Sequence, residues 1–381
     1  MSEIRYGIVG AGYFGSALAV ALAAMPNARV TAIHDPRHAA DLVAKVGGRV
    51  CETVDELCSS ADVDAVVIAS PNWAHVEPAL AAARHGKHIF CEKPIALSYA
   101  DCLAMVQAAG EADVMFMAGH VTNFMNGVRH AKSLIAAGEI GEVLFCKAVR
   151  NGWEEPQPEI TWKKKRELSG GHLYHHIHEL DLVQSIMGPA MDVTMVGGNV
   201  AHDGPQFGDE DDMLLITLEF GNKRFATLEY GSAFRWPEHH VLIEGTLGAI
   251  HIDMQNVGVE LRKPQKRERF LLHRTPEEDA NRSAIYNNST TDGAIMYGNP
   301  STEPPLWLKG IIEQELEYFH GLMTGGKPQS EFAALTDGTA AMAAIATADA
   351  LTLSLREGRK VRVAEVIGEL HSAAPGSAAG A

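Results

Sequence analysis

The hexapeptide Gly10-Ala11-Gly12-Tyr13-Phe14-Gly15 constrains this chain more than any other feature. Taken alone, G-x-G-x-x-G is a weak signal. Here it follows the apolar run Tyr6–Val9 and opens an alanine- and leucine-rich stretch, so it sits between a predicted strand and a predicted helix. In that setting Gly10 permits the tight turn, Gly12 lets a pyrophosphate approach the backbone, and Gly15 lets helix and strand pack closely. The exposed N–H groups of the helix start, from Tyr13 and Phe14 onward, then face the anion. Asp35 ends the next predicted strand. A carboxylate there accepts hydrogen bonds from a ribose diol and repels a 2′-phosphate, which favours NAD over NADP. Arg37 is the one neighbour able to offset that repulsion.

The same alternation runs through the first 120 residues. Apolar runs at Tyr6–Val9, Val30–Ile33, Ala65–Ala69, His88–Cys91 and Val114–Ala118 are separated by helical stretches at about 13–25, 38–46, 73–85 and 98–109. This predicts a parallel sheet covered on both faces. The rhythm then changes. Helices are expected at about 127–137 and 172–187, the second stopped by Met187-Gly188-Pro189. Strands without intervening helices follow at about 191–200, 212–220, 223–232, 239–244, 248–254 and 257–262. Leu214, Ile216, Leu218 and Phe220 alternate with other residues, and Gly221-Asn222 fits a two-residue hairpin turn. Residues 263–305 are polar and read as a binding loop or flap. Helices resume at about 307–323 and 336–356, and the tail from Ser372 is Ala/Gly/Ser-rich and reads as disordered. The expected fold class is α/β plus α+β. A Rossmann-type dinucleotide domain spans 1–121. A second domain on an open, mainly antiparallel sheet, for substrate binding and oligomerisation, spans 122–371, with a tail over 372–381.

Composition excludes some partners. The 381 residues carry 32 Lys and Arg against 48 Asp and Glu, a formal net charge of −16, which disfavours general nucleic-acid binding. No apolar run approaches the roughly 20 residues of a membrane span. Met1-Ser2-Glu3-Ile4-Arg5-Tyr6 lacks the basic-then-apolar pattern of a signal peptide. The cysteines at 51, 58, 91, 102 and 146 form no Cys-x-x-Cys pair and read as reduced core thiols of a cytoplasmic protein.

Two further segments follow predicted strands at the same sheet edge, where ligands bind in open α/β folds. The first, Ala69-Ser70-Pro71-Asn72-Trp73-Ala74-His75, offers Ser70, Pro71, Asn72 and His75 to the cofactor. The second is Cys91-Glu92-Lys93-Pro94. A lysine placed beside apolar strand residues can hydrogen-bond a substrate hydroxyl and help move its proton. Later, Gly170-Gly171-His172-Leu173-Tyr174-His175-His176-Ile177-His178-Glu179-Leu180-Asp181 puts four histidines into seven residues. Helical spacing lets His172 share a face with His175 or His176, so a metal reading stands beside an acid–base one. The acid–base reading is preferred and no metal is expected. His120, Asn123, Trp153, Trp162, Lys163, His176 and Asp181 are candidates for contact with substrate, against plain packing.

Together these residues resemble the glucose–fructose oxidoreductase/inositol dehydrogenase/MocA family. Gly10–Gly15, the Pro71-Asn72 turn and Glu92-Lys93-Pro94 occur in family order; Gly138-Glu139-Ile140-Gly141 and Asp337-Gly338 resemble later landmarks. The resemblance implies an NAD-dependent oxidoreductase, forming a homodimer or homotetramer. It would move a hydride between the nicotinamide and a secondary alcohol of a sugar, glycoside or cyclic polyol. Lys93 would be catalytic and Glu92 would shape the nicotinamide site. The family reads Gly-Gly, then Asp-x-Gly-x-His-x-x-Asp. Anchoring on His178-x-x-Asp181 makes His178 the catalytic histidine and places Tyr174 where the Asp stands. Anchoring on Gly170-Gly171 places His175 near it. The Asp is missing either way, and Tyr174 or His175 would take its place. Two alternatives stay open. In one, tightly bound NAD is recycled within each turnover, for a net elimination, epimerisation or glycoside cleavage. In the other the chain is a non-catalytic sugar sensor, which the presence of both Lys93 and His178 opposes.

Overall fold

The computed structural model describes residues 3–287 and 302–373. The first sheet is built from β1 (Ile4–Val9), β2 (Ala28–His34), β3 (Arg49–Val50), β4 (Ala65–Ile68), β5 (His88–Glu92) and β6 (Phe116–Gly119). All pairings are parallel, in the order β3-β2-β1-β4-β5-β6. The crossovers are α1 (Tyr13–Ala24), α2 (Ala39–Val46), α3 (Val54–Ser59), α4 (Val76–Arg84) and α5 (Tyr99–Glu111). Ser98 and Thr53 cap α5 and α3 by accepting the Asp101 and Glu56 N–H groups. The strand order reverses between β1 and β4, which opens a crevice beyond their C-terminal ends.

After α6 (Asn126–Ala136) the chain enters β7 (Val143–Trp153), a strand not foreseen because Lys147, Arg150 and Asn151 interrupt its apolar pattern. It is central to the second sheet. The helical stretch expected at 172–187 is broken. After α7 (Arg166–Ser169) it forms α8 (Gly171–His175) and α9 (Ile177–Met187), divided at His176, whose φ of −102° and ψ of 33° leave the helical region. The remaining strands are β8 (Asp192–Gly198), β9 (Met213–Phe220), β10 (Arg224–Gly231), β11 (Ala233–Gly245), β12 (Ala249–Asp253), β13 (Gly258–Lys263) and β14 (Lys266–Phe270). The β9–β10 connection takes three residues, Gly221–Lys223, with Asn222 and Lys223 both at positive φ.

The segment expected as a loop over 263–305 instead contains β14 and a helix, α10 (Pro276–Asn287); residues 288–301 lie outside the described residues. The chain continues through α11 (Leu306–Met323), α12 (Ala333–Thr336), α13 (Thr339–Glu357), β15 (Val361–Arg362) and α14 (Val363–Ala373). Residues 374–381, most of the expected tail, are outside the described residues.

The second sheet runs β14-β13-β12-β11-β7-β10-β9-β8-β15, antiparallel except for the β7–β10 pair. Its inner face, which includes Leu214, Ile216, Leu218, Leu228 and Ile243, is buried, whereas Val196, Leu215 and Phe225 on the outer face are exposed. Helix α11 returns to the first sheet, where Phe319 packs on Tyr6 and Phe90 and His320 Nδ1 lies 2.8 Å from the Tyr6 hydroxyl. The five cysteines are buried and unbonded to one another. Among the described residues no single helix is long and apolar enough to cross a membrane.

Candidate active site

The crevice at the strand-order reversal is one wall of a cleft whose other wall comes from β7, α8 and α9. On the first wall lie Gly10, Gly12, Tyr13, Phe14, Asp35 and Arg37, then Ser70, Pro71 and Asn72, then Glu92 and Lys93. Gly12 opens α1, and a Cβ there would meet nothing within 4 Å, so the space above the helix N-terminus is open to a ligand. Gly15 has no such space: its Cβ would lie 1.9 Å from the Gly10 carbonyl oxygen. Asp35 accepts the backbone N–H groups of Ala11, Arg37 and His38, each at 2.8 Å. Burial works against its ionisation, but these three donors hold its carboxyl below the usual carboxylate range. An open helix N-terminus with an ionised carboxylate at the second strand fits NAD: the glycine turn would hold the pyrophosphate and Asp35 the ribose diol.

His75 and Gly15 support this wall rather than line the cleft. The His75 ring lies between the Pro94 and Ser70 carbonyl oxygens, each 2.9 Å from a ring nitrogen, and so ties the two loops together. Asn72 donates to the Ser169 carbonyl at 2.8 Å, and Trp73 meets Trp162 edge-on at 5.3 Å between ring centres, clasping the two walls.

The opposite wall brings Arg150, Trp162, Lys163, His175 and His178 to Lys93. The Lys93–Pro94 peptide is cis, and the Lys93 ammonium donates to the His175 carbonyl at 3.0 Å, at the end of α8. Burial, then the Lys93 charge, pushes both His175 and His178 well below the usual histidine value, so both imidazoles are neutral at neutral pH. Burial and Lys93 also bring Lys163 down to about 8. Burial raises Glu92 to about 7 against the nearby Lys93 charge. Behind it, fully buried Glu315 of α11 is pushed up by burial and by Glu92.

Other sequence candidates fall elsewhere. The Tyr174 hydroxyl donates to Asp349 of α13, which also accepts the Tyr99 N–H, and Tyr174 does not line the cleft. His120, Asn123 and Asp181 form a buried trio that does not line the cleft. Asp181 lies 2.8 Å from His120 Nδ1 and accepts from Asn123 at 2.7 Å. His176 stacks on His172. Trp153 packs on His202 and under the Arg235 guanidinium instead of facing the cleft. Among the described residues no three His, Cys, Asp or Glu side chains converge as metal ligands.

Sequence reasoning missed Arg150 and His38, which both line the cleft. Arg150 shares the inner face of β7 with Cys146 and Ala148 and lies 3.6 Å from buried Glu179, which His239 contacts at 2.8 Å. Reading Val143–Trp153 as a strand would have pointed to it.

A dinucleotide cradle facing a lysine and neutral imidazoles across a cleft belongs to one class, the NAD-dependent oxidoreductases acting on CH–OH groups. Comparison supplies the family. Residues 4–120 match the oxidoreductase family's NAD-binding Rossmann fold (GFO_IDH_MocA), and residues 132–363 match its C-terminal alpha/beta domain. The chain belongs to the Gfo/Idh/MocA family. It is 53% identical over 370 residues to the 2,7-anhydro-N-acetylneuraminate hydratase of Mediterraneibacter gnavus, covering 97% of this chain and 99% of that one. The enzyme of the same name from Escherichia coli is 51% identical over 365 residues, covering 96% and 98%. A solved levoglucosan dehydrogenase, in complex with NADH and levoglucosan, shares the fold with a TM-score of 0.75 at 24% identity, covering 94% of this chain and 99% of that one.

Proposed function

We propose that this chain is a 2,7-anhydro-N-acetylneuraminate hydratase that oxidises, opens, hydrates and re-reduces its substrate with no net redox change. The observation that carries this is the 53% identity to a hydratase across 97% of the chain, which spans the segments forming both walls of the cleft. The electrostatics support it. N-acetylneuraminate is a carboxylated sugar, and although the chain's net charge is −16, the substrate end of the cleft gathers Lys93, Arg150 and Lys163.

Held by the glycine turn and Asp35, NAD would supply a hydride acceptor for the substrate and the donor that restores it. Neutral His178 takes the proton of the reacting hydroxyl, and Lys93 hydrogen-bonds that oxygen as charge develops. A ketone makes the adjacent C–H acidic, and an ether oxygen one carbon further on can then depart. For an ether at C2 this requires oxidation at C4. Arg150, held by Glu179, orients the carboxylate.

The division near residue 121, a cytoplasmic location and a homodimer or homotetramer belong to the same proposal. The exposed Val196, Leu215 and Phe225 of the second sheet are the surface to cover.

The test is incubation with 2,7-anhydro-N-acetylneuraminate, followed by mass and by nicotinamide absorbance. Gain of one water without accumulating NADH is expected. NADH accumulating in step with an oxidised product would mark a plain dehydrogenase, and no reaction would remove this substrate.

A further inference from the structure

A redox-neutral hydration needs proton transfer at two different atoms: the hydroxyl oxygen that becomes a ketone, and the neighbouring carbon that must lose its hydrogen. One base holding the first proton while the ketone exists is occupied when the second must leave. The cleft contains a group suited to the second task. Lys163 sits in the short turn Trp162–Lys164, on the wall opposite Lys93, with its ammonium 5.9 Å from the centre of the Trp162 ring. Trp162 is in turn braced by Trp73 of the cofactor wall, so this turn is held across the cleft mouth.

We propose that Lys163 is the base that removes the proton from the carbon between the ketone and the ether carbon, separately from His178; the assignment rests on the hydratase reading. The competing groups suit the step less well. Arg150 cannot give up its proton in a protein. Lys93 is engaged as a donor at the His175 carbonyl and serves the ketone oxygen. His175 and His178 are buried beside cations, which keeps them neutral but makes them weak bases. Lys163, brought to about 8, retains a fraction of neutral amine at neutral pH and is the stronger base.

The step balances within the active site. The Lys163 amine takes the C3 proton, the C–H electron pair becomes the C2–C3 double bond, and the C2–O7 bond breaks. The departing oxygen takes a proton back from the Lys163 ammonium. Water then adds across the same double bond, its hydroxyl to C2 and a proton to C3, before the ketone is reduced.

The experiment incubates wild type, Lys163→Arg and Lys163→Met with 2,7-anhydro-N-acetylneuraminate in deuterated water, with NAD bound. It reads deuterium at C3, bound NADH and hydrated product. Lys163→Arg keeps a cation for any anchoring role but cannot act as a base, and NAD titration establishes that each variant is folded. Both variants should still form bound NADH but lose C3 exchange and hydration by at least about 100-fold. Wild-type exchange should rise with pH through about 8. Exchange retained by Lys163→Arg within a few-fold overturns the assignment and leaves the base to Glu92 or His175 of the same cleft. If both variants instead bind NAD but form no bound NADH, Lys163 serves the first half-reaction and the assignment is equally overturned. Wild type that forms neither bound NADH nor product removes the hydratase reading, and this assignment with it.

Discussion

At the residue scale the proposed chemistry depends on Lys93 and His178. Lys93→Met removes the charge at similar length; turnover should fall by at least about 100-fold while calorimetry still finds NAD binding. Retained turnover would take Lys93 out of the chemistry. For His178 the prediction concerns pH. A base must be unprotonated to accept a proton, and burial with the Lys93 charge holds His178 neutral to unusually low pH. Formation of bound NADH should therefore persist as pH falls and fail only below the unperturbed histidine value of about 6.5. A limb above 6.5 would mean that another group accepts the hydroxyl proton. These two residues were legible because short local motifs announce them. Arg150 and the environment of Lys163 were not, since both depend on a strand and a turn that tertiary packing brings to the motif.

At the element scale, the glycine turn separates binding from folding. A Cβ at Gly12 meets nothing, and the φ there is −68°, so Gly12→Ala should leave the melting temperature unchanged. The added methyl lies where the pyrophosphate should approach, and NAD affinity should drop by about tenfold or more, roughly 1.4 kcal/mol. A Cβ at Gly15 collides with the Gly10 carbonyl, so Gly15→Ala should destabilise the protein by about 1–3 kcal/mol. Thermal melts and NAD titrations of both variants check the pair. The parallel sheet and the alternating strand β9 were readable because period and burial agree along them. Helix α10 was passed over for its polarity. Yet Thr275 accepts the Glu278 N–H, Pro276 opens the helix, and Glu277, Glu278 and Asp279 fill its first turn, all N-terminal signals present in the sequence. The break at His176 carried no comparable signal: the residues on either side of it are all helix-compatible, and only the backbone at His176 leaves the helical region.

At the scale of the whole molecule, the returning helix α11 joins the two halves of the chain and carries a cost. Glu315 is fully buried, with neither carboxyl oxygen hydrogen-bonded within the described residues, and Glu92 lies near enough to raise its pKa further. Its folded value is raised, so no penalty of ionisation exists below the unfolded value of about 4.3, and stability is lost as pH rises above it. Glu315→Gln should melt higher than wild type, with a gap that widens from pH 5 towards neutrality. A gap that stays constant with pH would place the effect in packing instead. Long-range placements of this kind, a carboxylate of residue 315 behind residue 92, leave no trace in local pattern. The central claim is that the hydride returns to the carbon it left, and its fate is the measurement that decides it. Substrate deuterated at C4 is turned over with unlabelled NAD in excess. Hydrated product should retain the deuterium at C4, with no deuterated NADH in solution. Product that has lost its deuterium, with the label recovered in released NADH, would contradict it.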